Sequence, residues 1–232
     1  MMPFMHRYVY LFIGCLLLTS CSQVVSKNQM DVELEAVEQV SVLSADGQEI
    51  QLPLPLFLGE IEKQGKQLRP TDKKLMQSDL RYTLLVRRRS ESPLVVQIGR
   101  NMSQLGTVTY EGTGAGHFYH WIRELTAGSI FTPKLRNGEI RANGLNRQMV
   151  LEEKQREELA SLLQRAVYKP VEEISVPPLF PDYQLKLDYG QRTTEVSMLT
   201  PTVAAVRFGN DTLYYDIPEQ LYARLSEWLL QK

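Results

Sequence analysis

Apolar and polar positions follow one another along this chain in an order that occurs twice. An apolar run, roughly Tyr8 to Leu18, comes first and is shorter than the about 20 apolar residues that span a bilayer. From Ser22 to about Glu35 the chain is polar and aperiodic, as a tether would be. Partial alternation over Ala36–Leu43 and Gln48–Leu52, on either side of Asp46-Gly47, predicts a β-hairpin. Leu56, Phe57 and Ile61, with Pro55 near the first turn, predict a short helix that Gly65 and Pro70 end. A polar linker to Ser78 leads to strands over Leu80–Val86, Leu94–Ile98 and Leu105–Glu111. Phe118, Trp121, Ile122 and Leu125 recur at helical spacing, although so aromatic a run also suits a strand.

The second half takes the same elements in the same order. Segments 135–142 and 147–151 flank Asn143-Gly144, a second hairpin signal. Leu159, Leu162, Leu163 and Ala166 share one face of a helix expected over roughly Glu152 to Tyr168, stopped by Pro170. A Pro-rich linker from Val176 to Pro181 leads to strands over 183–189, 193–200, 203–208 and 212–217. Pro218 can open a last helix whose buried stripe is Leu221, Leu225, Trp228 and Leu229. The fold class is therefore α+β, with two tandem small modules, each an antiparallel sheet backed by helices. The predicted boundaries are 1–20 for a signal peptide, 21–35 for the tether, 36–128 for the first module and 129–232 for the second. The last helix should bury Trp228, and two independent modules would unfold separately.

The start of the chain supplies an address. Arg7 precedes the apolar run, and Leu18-Thr19-Ser20-Cys21 closes it with small residues before a cysteine. This resembles the lipobox of bacterial lipoproteins. The resemblance covers residues 1–21 and implies cleavage before Cys21, a lipid (diacylglycerol, with palmitate-type acyl chains) on its sulfur, and export to the extracytoplasmic face of a bacterial membrane. An uncleaved membrane anchor is the alternative, but it has no need of a cysteine there. The second module also resembles small YhfM-like lipoprotein domains, from Asp182-Tyr183-Gln184-Leu185 through Leu213-Tyr214-Tyr215 to the last helix. That resemblance implies fold and location only.

Composition agrees with the address. Cys15 falls inside the signal and Cys21 would carry lipid, so the mature chain would have no thiol for a disulfide or a metal. Removal of residues 1–20 takes away only Arg7 among the 26 basic residues, leaving 25 against 27 acidic ones. That balance gives no electrostatic reason to expect a nucleic-acid partner.

The candidate chemistry is sparse. Gly112, Gly114 and Gly116 follow a strand and could let backbone amides approach an anion. No Lys-Ser/Thr follows them, and a flexible turn is the plainer reading. Arg87, Arg88 and Arg89 could meet anionic headgroups or wall polymers, or could be a solvated strand end. His117 and His120, three apart on a helix, could supply two metal ligands with Glu124 as third, or could belong to an aromatic cluster around Trp121. Gly-x-Ser-x-Gly and Ser-x-x-Lys are both missing from the sequence.

These patterns point to a membrane-anchored, non-catalytic binding or structural module at the cell envelope, with no cofactor and with a protein or envelope polymer as partner. Two alternatives remain open at this point. One is an envelope hydrolase or metal-dependent enzyme using His117 and His120; the other is a protein inhibitor of an envelope enzyme.

Overall fold

The computed structural model of the chain describes residues 36–89, 91–170 and 181–230. The lipobox residues Leu18, Thr19, Ser20 and Cys21, the tether and most of the Pro-rich linker lie outside them. Among the described residues, fourteen strands form two antiparallel sheets of seven, and four helices pack on them.

The first sheet begins with β1 (Val37–Ser44) and β2 (Glu49–Gln51), joined through Gly47 at a φ of +82°. Helix α1 (Leu54–Gly65) follows, with Pro53 at its N-cap and Pro55 in its first turn, where a missing N–H costs nothing. Then come β3 (Arg69–Thr71), β4 (Leu80–Arg88), β5 (Leu94–Gly99), β6 (Met102–Leu105) and β7 (Val108–Glu111). Helix α2 (Thr113–Ser129) closes the module. The second sheet is made of β8 (Asn137–Ala142), β9 (Arg147–Val150), β10 (Val167–Lys169), β11 (Tyr183–Asp188), β12 (Thr193–Met198), β13 (Val203–Phe208) and β14 (Asp211–Asp216). Helix α3 (Glu153–Leu163) lies between β9 and β10, and α4 (Glu219–Leu230) follows β14.

The strand order is β2-β1-β4-β5-β6-β7-β3 in the first sheet and β9-β8-β11-β12-β13-β14-β10 in the second. Element for element the two are the same. The register agrees too: Ser44 stands opposite Tyr82, and Ala142 opposite Tyr183. Each sheet buries one face, as β4 and β11 show by strict alternation of buried and more exposed residues. The α4 stripe is buried as its spacing requires: Leu221 and Leu225 are fully covered and Trp228 is 5 % exposed.

Several expectations are corrected. The stretch Leu105–Glu111 is not one strand, because Gly106 at φ +58° makes a two-residue turn between β6 and β7. For residues 117–125, where helix and strand were both open, the helical spacing is the one realised. The helix begun at Glu153 stops at Leu163, and Val167–Lys169 pairs with β14 instead. The polar stretch before Ser78 contains β3, an edge strand that tolerates Pro70 because it pairs with β7 alone.

The modules are not independent. The described residues of both modules form one compact unit. The buried side chains of α2 include Ala115, Phe118, Ile122 and Thr126 on one side and Arg123 and Ala127 on the flank. At 100° per residue they cover about half the helix circumference, wider than the roughly 100° stripe of a surface helix. The flank faces the second module: Tyr215 donates to the carbonyl of Ala127 at 3.0 Å, and Arg123 donates to the carbonyl of Thr212 at 2.9 Å.

Candidate functional site

Two features lie where the modules meet. The first is a buried carboxylate. The turn between β13 and β14 carries Gly209 at φ +59°, and a Cβ there would stand 2.8 Å from the Cβ of Ser44. The glycine lets this turn press against the β1–β2 hairpin. Asp211, next along the chain, is 3 % exposed. Its Oδ2 accepts from the hydroxyls of Tyr82 at 2.5 Å and Tyr119 at 2.7 Å, both from the first module. Arg100 lies 3.9 Å from its Oδ1. Burial, and then the neighbouring carboxylate, pushes the Tyr82 and Tyr119 hydroxyls well above the ordinary tyrosine value. Both phenols therefore stay protonated and act as donors. This arrangement holds two modules together; nothing in it presents a reacting group to solvent.

The second feature is an open groove of about 960 Å³. One wall is the edge strand β2 with Pro53, Leu54 and Leu56 at the start of α1. The floor is the C-terminal half of α2, through Trp121, Leu125 and Gly128. The far wall is Arg136 with Tyr189 and Arg192 of the β11–β12 turn. Trp121 is half-buried and held in place by stacking on Phe57, with ring centroids 5.4 Å apart, and by Phe118 at 5.8 Å. Leu56 is 61 % exposed. Arg192 is 8 % exposed, donates to the carbonyl of Ile130, and lies over the Tyr189 ring at 5.1 Å. Burial lowers its pKa and pushes the Tyr189 hydroxyl up to about 12. Arg136 is exposed and lies across Gly190, where a Cβ would meet its Nε at 2.5 Å. Among the described residues neither guanidinium is paired with a carboxylate. The groove thus offers an apolar floor, a strand edge and two positive charges without counter-ions.

The site residues expected from the sequence fall elsewhere, apart from Glu124. Gly112, at φ +89°, precedes α2. A Cβ on Gly114 would lie 2.0 Å from the carbonyl oxygen of Gln67, so this glycine lets α2 press against the turn that follows α1. On Gly116 a Cβ would meet only ordinary contacts, the nearest at 3.6 Å. Of the three glycines, Gly114 alone is required by a close approach. Arg87, Arg88 and Arg89 lie at the opposite end of β4 from this run, since Leu80 pairs with Gly99 and Val86 with Leu94. Arg87 reaches Glu49 and Gln39, Arg88 reaches Glu91, and Arg89 reaches Glu38. These are exposed strand-end pairs, each worth little.

His117 and His120 are both exposed on α2. The Nδ1 of His117 is 3.2 Å from Oε1 of Gln67, and His120 packs edge-on against Tyr119. Glu124 lines the groove. Among the described residues no group of three His, Cys, Asp or Glu is placed to hold a metal ion. Sequence reasoning missed Asp211, Arg192 and Arg136. Asp211 meets its tyrosines across 129 and 92 residues of chain, a distance that no local pattern spans.

No family model and no curated protein matches the chain. Among solved structures, one from Clostridium perfringens, called "Putative Lipoprotein", is similar at 9 % identity and a TM-score of 0.34, over 41 % of this chain and 84 % of that one. So slight a likeness carries no argument about function. No described helix is long and apolar enough to cross a membrane.

Proposed function

We propose that the chain is an exported bacterial lipoprotein, anchored through lipid on Cys21, that serves as a non-catalytic binding module at the cell envelope. Its binding surface is the groove between the two modules. The observation that carries this reading is the groove itself: Trp121, Leu125, Leu54 and Leu56 are left partly uncovered beside Arg136 and Arg192. A partly exposed apolar floor with convergent charges is the usual dress of a binding site. The anchor rests on the pattern Leu18-Thr19-Ser20-Cys21, and two or more acyl chains would make it stable.

Two measurements test the two parts. Mass spectrometry of the membrane fraction should show lipid on Cys21, and Cys21→Ala should leave the chain unprocessed or unanchored. A photo-crosslinking residue at Leu56, in the groove, should capture partners in whole cells that the same residue at Leu145 does not. Leu145 is similarly exposed, at 56 %, but lies in the β8–β9 turn. Equal labelling from both positions defeats the groove as the binding surface. Turnover of an envelope substrate that disappears in His120→Ala defeats the non-catalytic reading.

A further inference from the structure

The edge of β2 is the least explained part of the groove. In the β1–β2 ladder Ser44 donates to Gln48 and Leu52 donates to Val40, which makes 44/48, 42/50 and 40/52 the hydrogen-bonded pairs. Glu49 and Gln51 lie between these pairs, so their N–H and C=O groups point away from β1. Among the described residues no backbone or side-chain partner meets them. β2 is the last strand of its sheet, and both side chains are exposed. A free edge of this kind is a template for another strand. This one faces an apolar floor and two unneutralised guanidiniums.

We infer that the β2 edge takes up an extended peptide of a partner protein as an added strand, with a carboxylate of that peptide held by Arg136 and Arg192. The inference rests on the binding-module reading and names its partner class. The added strand supplies acceptors and donors to Glu49 and Gln51, while alternate side chains rest on Trp121, Leu125 and Leu54. The carboxylate neutralises a charge that is otherwise buried in the groove wall without a counter-ion, which is costly for any protein to keep. The groove's own carboxylates do not supply it: Glu49 reaches Arg87 at 3.4 Å, and neither Glu49 nor Glu124 is within 4.0 Å of the nitrogens of either guanidinium. A second copy of this chain is a poorer occupant. Two-fold pairing of β2 with itself would bring up Glu49, already paired with Arg87, and Gln51, neither of them an apolar side chain for the floor.

The test uses the full chain in detergent micelles, probed with phage-displayed random linear peptides and then with the enriched peptides made synthetically. Binding is read from Trp121 fluorescence in a Trp228→Phe background. Enriched peptides should alternate apolar residues and carry Asp, Glu or a free C terminus. Replacing that carboxylate by an amide should weaken binding about tenfold. Separate side-chain and C-terminal amides tell the two carboxylate sources apart. Gln51→Pro removes an N–H that points away from β1, so it should abolish binding and leave the melting curve in place. Arg136→Gln, at an exposed side chain, should weaken binding by up to about tenfold and reduce the preference for the carboxylate, which keeps the test open should Gln51→Pro disturb the fold. Binding untouched by both variants overturns the inference, as does a dimer that Gln51→Pro splits. Absence of any enriched peptide, with partner crosslinks at Leu56 retained, overturns the peptide inference but not the binding-module reading.

Discussion

Replacement of Asp211 by alanine should loosen the joint between the modules and destabilise the whole unit. In the intact protein the carboxylate accepts from Tyr82 and Tyr119, whose side chains are 0 % and 4 % exposed. The alanine leaves both hydroxyls buried without an acceptor. A hydrogen bond to a charged group contributes about 1.5–3 kcal/mol, and an orphaned buried donor costs about 1–3 kcal/mol. The tyrosines share one acceptor, so the two losses overlap and do not add in full. A net loss of about 3–4 kcal/mol is the outcome, out of the roughly 5–15 kcal/mol of a typical domain. Asp211→Asn keeps a carbonyl oxygen for the tyrosines and should cost about half as much. The assay is urea denaturation followed at Trp121, on α2, and at Trp228, on α4, each isolated by replacing the other with Phe. Both probes should report one coincident transition, shifted to lower urea in Asp211→Ala. An unmoved midpoint would refute the role of the carboxylate. Two separate transitions, with Trp121 unaffected, would refute the coupling through α2.

Three further outcomes follow from packing and burial. Gly114→Ala should shift the melting curve down by several degrees, since its Cβ would stand 2.0 Å from the Gln67 backbone oxygen and α2 must move off the turn after α1; an unchanged curve would count against that packing role. Trp228→Ala should cost about 3–5 kcal/mol in urea denaturation, because a buried indole is lost from the α4 stripe; a free tail would show no change. The raised pKa values of Tyr82 and Tyr119 stabilise the fold fully below pH 10, the ordinary tyrosine value, and that contribution is lost as pH rises above it toward the folded values. Stability should therefore fall above pH 10, more steeply than in Tyr82→Phe, and equal slopes in the two proteins would count against the buried phenol.

Much of the fold was legible because it rests on short-range rules. Asp46-Gly47 and Asn143-Gly144 announced hairpins, and Leu221, Leu225, Trp228 and Leu229 announced a covered sheet. The errors came where a signal was brief. Only the two-residue turn Gly106-Thr107 separates β6 from β7, and three residues each make β3 and β10. The groove was illegible for a different reason. Its walls come from β2, α1, α2 and the β11–β12 turn, and none of these carries a motif of its own. Arg192 reads locally as one more polar turn residue. Only its placement against Ile130 and Tyr189 makes it a buried charge. Of the glycines at 112 to 116, Gly114 carries a packing constraint that the sequence did not show, the approach of α2 to the turn after α1.

The contact through Asp211 joins unlike ends of two like bodies, the front of one module to the back of the other. Such a head-to-tail joint has no symmetry that closes it, so it could in principle be repeated indefinitely. The residues at the equivalent free ends do not repeat the contact. Val108 occupies in β7 the position that Asp211 occupies in β14, each directly after a two-residue turn that begins with glycine. A valine offers no acceptor to another module's tyrosines. At the other end Tyr183, the counterpart of Tyr82, is satisfied within its own module, with its hydroxyl 2.7 Å from Oγ of Ser226 on α4. Neither free end therefore offers the carboxylate-to-tyrosine contact that joins the two modules. A Val108→Asp variant would restore half of the lost complementarity, and the self-satisfied Tyr183 would still keep one molecule from docking on the next.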